Sequence, residues 1–480
     1  MSEVGLPQGY EMVIGLEVHT ELATATKLFC GCPNHFGDEP NTNVCPVCLG
    51  LPGSMPVLNG GAVELATRLG RALHCEVRES IFARKNYFYP DMPKDYQISQ
   101  YDLPLNVDGH LDLPDGTRVG IERAHIEEDT GKSTHVGGAN SSTKGRIHDA
   151  GYSLVDYNRS GVPLVEIVSR PDLRSADQAR TYVTELRALL AATGVSDAKM
   201  EEGSMRVDAN VSVRKPGAAF GTRCEIKNLN SVRSLGRAID YEARRQIDLL
   251  GSGERIVQQT RHWNEDDGRT HTLRSKEEAE DYRYFPEPDL VPLDPDESTI
   301  AAIDAALPPL PADRRRALAG AAGVELPDES VSIIVDRGLD GLAADAIAAG
   351  ADASKVLTHV QHDLAVEGAE QIEAADLAAL IAMEAGGELT SSQAKQVLAD
   401  MAETHRPPAD IAAERGFEAV DTSDLESMLD ALIAANPDEW RRFCEGEGKM
   451  QGFFIGQIMG QTDGQADGKT LNQLLQQRKG

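Results

Sequence analysis

The chain has 480 residues and a formal net charge of −30, with 77 acidic against 47 basic residues. That length allows two to four domains, each with an apolar interior of its own. Residues 1–9 lack a basic segment leading into an apolar run, and no apolar stretch reaches membrane-span length; this argues against a secreted or membrane-spanning chain and leaves a soluble cytoplasmic one as the expectation.

The basic residues comprise only 14 Lys against 33 Arg, and the acidic residues are spread along the chain. A carboxylate-rich, lysine-poor surface of this kind fits a cytoplasm of very high salt. Residues 294–480 carry 34 acidic and 14 basic residues, a balance of −20, whereas residues 1–293 sit at −10. A phosphate-rich partner is therefore expected to meet the N-terminal part, on local basic surfaces screened by salt.

In chain order, residues 12–18 read as a strand that overlaps Ile14-Gly-Leu-Glu17-Val-His19. Alternate positions of a strand share a face, so Glu17 and His19 point the same way. Next come Cys30-x-Cys32, twelve residues, then Cys45-x-x-Cys48. Two short-spaced thiolate pairs on tight turns can close a tetrahedral structural zinc site. A disulfide framework fits poorly, because the chain is long and its seven cysteines are an odd number. Cys75, Cys224 and Cys444 stand apart as core or surface thiols.

Residues 62–73 predict a helix, and the tyrosine-rich stretch 87–101 reads either as core or as a stacking surface for unpaired bases. In His125-Ile-Glu-Glu-Asp129 the alternation sets His125, Glu127 and Asp129 on one face and Glu128 on the other. Glu166 follows the turn-like segment 158–164. After a helix at Ala176–Ala192, Arg206, Asp208 and Asn210 alternate, as do Arg223, Glu225 and Lys227; a helix over 232–250 follows. Phe285-Pro-Glu-Pro-Asp-Leu-Val-Pro292 then interrupts regular structure. Beyond it, Ala, Leu, Asp and Glu dominate, with amphipathic helices predicted at 340–349, Ala374–Ala385 and 391–403. Arg406-Pro-Pro408 marks a second break, before short helical segments between 424 and 477. The expected organisation is an α+β domain over 1–293 and two all-helical domains over 294–405 and 406–480.

One charged face on a single strand is ordinarily a solvated one. Four such strands in one domain point to a concave sheet lined by carboxylates, basic groups and a histidine, suited to divalent cations and polyphosphate. The chain has no Gly-x-x-x-x-Gly-Lys-Ser/Thr loop, which excludes a P-loop kinase, and no Gly-x-Gly-x-x-Gly fingerprint.

These segments resemble one family, the B subunits of the aspartyl/glutamyl-tRNA amidotransferases (GatB). The resemblance runs through residues 14–22, the cysteine cluster into 46–56, Lys85-Asn-Tyr-Phe-Tyr-Pro90 and onward to 100, and 126–135. It continues through 156–171, 200–214, 225–231, Tyr282-Arg-Tyr-Phe-Pro-Glu-Pro288 and, in the tail, Gly446-Glu-Gly-Lys-Met-Gln-Gly-Phe453. It implies a cradle domain with an antiparallel sheet, related to glutamine synthetase and guanidino kinases, then a helical domain and a YqeY-like tail. It also implies an ATP-dependent, two-step amidation of Asp-tRNA(Asn) or Glu-tRNA(Gln), with ammonia supplied by the amidotransferase's A subunit and its small C subunit completing a heterotrimer.

Carried onto this sequence, the resemblance makes Glu17, His19, Glu127 or Glu128, and Glu166 catalytic Mg²⁺ ligands. Strand phase favours Glu127. For His19 a hydrogen-bonded partner of a carboxylate is the competing role, since Mg²⁺ prefers oxygen. Arg206, Asp208, Glu225 and Lys227 would line the nucleotide and acyl-acceptor pocket. Two departures stand out. The tail segment 460–469 is poor in lysine, and the chain is too short between Pro286 and its end for the synthetase-like insertion of the paralogue GatE. An archaeal host follows from the high-salt reading and would tilt the substrate toward Asp-tRNA(Asn). A non-catalytic tRNA-binding or assembly protein with a zinc module is the competing function.

Overall fold

The computed structural model describes residues 9–136, 151–275, 282–417, 422–462, 466 and 468–479. The chain divides into two compact units, Met1–Pro311 and Ala312–Gly480. The first contains β1 (Glu11–Glu21), α1 (Gly60–Ala72), β2 (Glu76–Val77), β3 (Ala83–Asn86), β4 (Tyr96–Ser99), β5 (Asn106–Asp112), β6 (Arg118–Glu128), β7 (Lys132–Val136), β8 (Tyr152–Asp156) and β9 (Pro163–Ser169). It continues with α2 (Ala176–Ala192), β10 (Met205–Arg214), β11 (Cys224–Leu229), α3 (Val232–Gly251), β12 (Gln259–Asn264), β13 (Arg269–Ser275), β14 (Phe285–Pro286) and α4 (Glu297–Ala306).

Nine of these strands form one sheet in the order β13-β12-β11-β10-β1-β9-β6-β5-β2. The expectation of an antiparallel sheet holds at every pairing but one. β11 and β12 run parallel, because the twenty-residue helix α3 connects them as a crossover. A smaller sheet, β14-β3-β4, packs its β4 strand against β6, and β7 pairs with β8.

The sheet is two-faced because its strands alternate. In β1, Met12, Ile14, Leu16, Val18 and Thr20 are buried, and in β10 Met205, Val207, Ala209, Val211 and Val213 are buried. The apolar residues among these share one core with α1, α2 and α3, so the helices cover a single face of the sheet. Each helix starts at a side-chain cap: Asn59 accepts from the Gly61 amide, Ser175 from that of Gln178 and Ser231 from that of Ser234. The charged alternates, Glu17, His19, Arg206 and Asp208 among them, are left on the opposite face.

The first unit runs past the composition break near residue 293. β14 pairs with β3, and α4 packs on α1, where Arg71 bonds Asp304 through two nitrogens at 2.7 and 3.1 Å. The proline-rich segment is thus an edge piece of this unit, and the change to Ala-rich composition precedes the structural boundary.

The second unit is helical among its described residues: α5 (Pro311–Ala322), α6 (Glu329–Asp336), α7 (Asp340–Ala348), α8 (Ala353–His362), α9 (Ala374–Ala385), α10 (Ser391–Thr404), α11 (Pro408–Glu414), α12 (Thr422–Ala435), α13 (Pro437–Cys444), α14 (Gly448–Gln461) and α15 (Gly468–Lys479). It holds two separate apolar cores. One joins α5–α11, with Val356, Leu380 and Val397 fully buried; the other joins α12–α15 around Leu429, Phe454 and Leu475. Ile411 and Ala412 of α11 belong to the first core, although they follow the break at Arg406-Pro-Pro408. No described helix is long and apolar enough to cross a membrane.

Candidate active site on the open sheet face

Strand register assembles the site in rows across the sheet. Glu127 of β6 pairs with Leu164 of β9, which pairs with Glu21 of β1. In the next row His125 pairs with Glu166, Glu166 with His19, and His19 with Arg206. The third row runs Arg123, Val168, Glu17, Asp208, and the fourth joins Gly15, Asn210 and Glu225. Residues from opposite ends of the first unit's sequence thereby become cross-strand neighbours on one face.

Three side chains converge at the centre. Nε2 of His19 lies 3.6 Å from a Glu127 oxygen and 3.7 Å from a Glu166 oxygen, and ligand atoms of all three sit within 4.8 Å of one another. His125 approaches the same carboxylates, at 3.3 Å from Glu166 and 3.9 Å from Glu127. Burial pushes the Glu166 carboxyl up, but the His125 hydrogen bond and the charges of His125 and His19 outweigh it and hold the group well below the usual range. Glu17 lies one row along, accepting a 2.8 Å bond from the Asn210 amide. Its carboxyl is raised by burial and then by the negative charges of Glu166 and Glu225.

Three cations flank this centre. Arg206 donates to Asp129 at 2.9 Å, and Arg159 lies 3.4 Å from the same carboxylate. Lys227 is bracketed by Asp208 and Glu225, both at 2.8 Å, and Thr260 donates to Glu225. Burial works against the Lys227 ammonium, but the two carboxylates more than offset it and its pKa rises. Arg223 lines a cleft of ≈ 220 Å³ that also includes Gly15, Glu17, Val168, Asn210 and Phe220.

Glu128 does not join the cluster. It points to the opposite face of β6, where it forms a buried ion pair with Lys94 (2.7 Å) and accepts the Ile98 amide at 2.8 Å. Successive strand residues alternate faces, so Glu127 and Glu128 cannot both reach one ion. Of the two candidates only Glu127 stands beside His19 and Glu166.

The four cysteines do meet: the sulfurs of Cys30, Cys32, Cys45 and Cys48 all lie within 4.8 Å of one another. Two turns bring them there. The first is tied back by the Lys27 amide on the Cys32 carbonyl (3.0 Å), the second by the Leu49 amide on the Cys45 carbonyl (3.1 Å). Hydrogen bonding from Cys30, the Cys45 amide and the Lys27 charge bring the Cys48 thiol down to about 5 against its burial, while burial lifts Cys32 to about 11. Cys75, Cys224 and Cys444 stay apart, the first two buried and the third exposed.

The sequence alternation already sets His125 on the face of Glu127 without giving it a role, whereas Glu21 and Tyr284 lie outside the expected set. Glu21 is detectable, since it continues the alternation of Glu17 and His19. Tyr284, whose phenol feels the Glu127 and Glu166 charges, carries no local pattern that points to a site.

A model of the GatB/GatE catalytic domain matches residues 12–301 of this chain, more than half its length. The chain belongs to the GatB family. A second model, of the GatB domain, matches residues 346–478. Among curated GatB relatives, a protein of Frankia casuarinae is 49% identical over 98% of this chain and 96% of its own length. One of Salinispora tropica is 50% identical over 98% and 97%. One of an Anaeromyxobacter species is 45% identical over 98% and 99%. All three are named as the B subunit of an aspartyl/glutamyl-tRNA(Asn/Gln) amidotransferase.

Proposed function

We propose that the open face of the first unit is the site at which this GatB chain activates the side-chain carboxylate of a misacylated Asp-tRNA(Asn) or Glu-tRNA(Gln). ATP gives its γ-phosphoryl group to that carboxylate and leaves as ADP. Ammonia then attacks the acyl carbon, phosphate departs, and a proton is lost to give the amide. A carboxylate oxygen is a poor leaving group and phosphate a good one, which is why activation precedes amide formation. The chain acts as the B subunit of a glutamine-dependent amidotransferase, and we place it in a cytoplasmic heterotrimer with the ammonia-supplying A subunit and the small C subunit.

The observation that carries this reading is the convergence of His19, Glu127 and Glu166. Two facing carboxylates, beside a Glu17 whose neighbours resist its ionisation, form a set short of positive charge, and its oxygen-rich donors fit Mg²⁺. Bound by Glu127, Glu166 and His19, Mg²⁺ would screen the repulsion between the ATP phosphates and the incoming carboxylate. His125, buried against Glu166, orients that ligand. Asn210 fixes Glu17 at the edge of the cleft. Arg206 and Lys227, each braced by carboxylates, present fixed positive charge toward the transferring group without needing to reorganise. Asp208 and Glu225 act mainly as the brace for Lys227.

The four-cysteine cluster fits a closed zinc site, since four thiols leave no position open for substrate. We assign it a structural role. The first unit corresponds to a cradle of the glutamine synthetase and guanidino kinase type, and the two cores of the second to a helical module and a YqeY-like tail. Their separate apolar clusters support that division, with the second boundary after residue 417. The acidic surface supports a high-salt setting, and with it a preference for Asp-tRNA(Asn).

The test is amide formation by the chain assembled with its A and C partners, in molar salt with ATP and Mg²⁺, on Asp-tRNA(Asn) and Glu-tRNA(Gln) in parallel. Product from either is the expected result and identifies the substrate. Tight tRNA binding with no product from either would overturn the catalytic reading in favour of a tRNA-binding assembly protein.

A further inference from the structure

A stacked aromatic pair borders the carboxylate cluster and has no part in the metal or nucleotide arrangement. The rings of Tyr101 and Tyr284 lie 4.1 Å apart and nearly parallel, at 8°. Tyr282 meets Tyr284 edge-on at 6.0 Å, and the Lys85 ammonium sits 4.7 Å over the Tyr282 ring. Tyr101 is 57% exposed, so a broad π-face is open to solvent. Tyr284 is more buried, and its phenol feels the charges of Glu127 and Glu166.

The pair is held rigidly from both sides. The Asn86 side-chain amide donates to the carbonyls of Tyr282 and Arg283, at 2.8 and 2.9 Å. Arg84 grips Glu287 with two bonds at 2.6 and 2.8 Å, fixing the strand that leaves Tyr284. Next to Tyr101, Gln100 accepts the Ile126 amide at 2.9 Å, which ties this ring to β6 one residue before Glu127. A planar surface so constrained loses little conformational freedom when a ring stacks on it.

Position selects the occupant. The ≈ 220 Å³ cleft lies along the strands from Glu17 toward Val13, on one side of the cluster. The tyrosines lie at the other end, by Glu127. In-line phosphoryl transfer places donor and acceptor on opposite sides of the moving group. The cleft offers a recess for the donor's nucleoside, so the open tyrosine face is left to the acceptor. The acceptor's amino acid is esterified to the last, unpaired nucleotide of tRNA, whose base is free to stack. Stacking also suits a chain of net charge −30, because it attracts a nucleic acid without relying on phosphate contacts that salt weakens.

We propose that Tyr101, backed by Tyr284, seats the base of the 3′-terminal nucleotide of aminoacyl-tRNA and so aims the esterified side chain at the Glu127, Glu166 and His19 cluster. This rests on the amidotransferase reading above.

The test uses the assembled amidotransferase carrying Tyr101→Ala or Tyr101→Phe. One base–aromatic stack corresponds to about a 5- to 150-fold change in affinity. Tyr101→Ala is expected to raise KM for aminoacyl-tRNA by that factor with KM for ATP unchanged, and Tyr101→Phe to restore it. A second readout needs no turnover: trimming the 3′-terminal nucleotide from uncharged tRNA weakens binding to the wild-type complex but not to Tyr101→Ala, since the lost contact is the same one. An unchanged tRNA KM in Tyr101→Ala, equal sensitivity of both proteins to trimming, or a rise in the ATP KM instead would overturn the proposal. A wild-type complex that binds tRNA but forms no amide would refute the amidotransferase reading itself.

Discussion

Glu127 and Glu128 are adjacent, chemically identical and both buried, yet the structure requires opposite consequences when each is changed. Glu127→Gln removes a carboxylate from the group that meets His19 and Glu166. Changing an outer partner of a metal ligand costs about 10–100-fold in affinity, so loss of a ligand itself should cost at least that. Glu128→Gln leaves the cluster untouched and disturbs only the pair with Lys94. That pair is well shielded, its side chains 3% and 8% exposed, so a partner left alone keeps an uncompensated buried charge, at about 3–5 kcal/mol. For a domain of this size, that is a fall in Tm on the order of 5–10 °C. Lys94→Met should therefore lower Tm by this amount, and adding Glu128→Gln should recover much of it, because the amide oxygen still accepts the Ile98 N–H. The assays are calorimetric Mn²⁺ or Mg²⁺ titration with a non-hydrolysable ATP analogue, and thermal melts of the wild type, the two single variants at the ion pair and the double variant. Weak metal binding in Glu128→Gln together with normal binding in Glu127→Gln would refute the strand-phase reasoning. Additive losses in the double variant would refute the ion-pair reasoning.

Other outcomes follow from the same geometry. Cys45→Ser should lose stoichiometric zinc and melt at lower temperature while ATP turnover per folded molecule is largely kept; full zinc occupancy would remove Cys45 from the ligand set. Burial, then the Asp129 charge, raises the Glu21 carboxyl from an ordinary value near 4.5 to about 7. The folded protein thus holds a proton that the unfolded chain gives up across that window. The associated stability is fully present below pH 4.5, declines as pH rises, and is lost above 7, a change of about 3 kcal/mol. Glu21→Gln lacks this penalty, so without divalent metal its Tm should exceed the wild-type value increasingly from pH 5 to 8; parallel curves would refute the assignment. Finally, a chain with 77 acidic residues and 14 lysines should lose circular dichroism signal as salt falls below physiological levels, and an unchanged spectrum would count against high-salt adaptation.

The rows of the site were only half legible in the sequence. Period-two alternation identifies which residues of each strand share a face, and it favours Glu127 while leaving Glu128 a candidate. It could not say which strands are neighbours. That β9 lies between β6 and β1, so that Glu166 bridges His125 and His19, is a matter of sheet order, set by long-range packing on α1, α2 and α3. The α3 crossover that makes β11 and β12 parallel was equally hidden, since local pattern does not encode strand direction. The cysteine pairs were legible because both tight turns are local. Composition changes at Pro286–Pro292 while the chain is still pairing with β3 and packing on α1, so a composition break does not by itself mark where packing ends. Tyr284 lies in Tyr282-Arg-Tyr-Phe-Pro-Glu-Pro288, next to a proline-rich break with no charged alternation around it, so no local pattern marks it as a site position.

The site face works against the stability of its own fold. Glu17 resists ionisation because it is buried and because Glu166, Glu225 and Asp208 crowd it, and Glu21 does so because of burial and Asp129. Each of these carboxylate contacts is repulsive at neutral pH, and none is needed to pack the core on the other side of the same strands. His125, His19, Lys227 and Arg206 offset part of that repulsion but do not remove it, so ligands that bring positive charge should stabilise the folded state more than contact area alone implies. Such strain persists where the surrounding structure over-determines it and the function uses it. Here the over-determination is visible: β1, which carries Glu17, His19 and Glu21, is paired on both edges and buried along its apolar face. Replacing the charged alternates with neutral isosteres should therefore raise stability while removing activity, the opposite of what a purely structural sheet face would do.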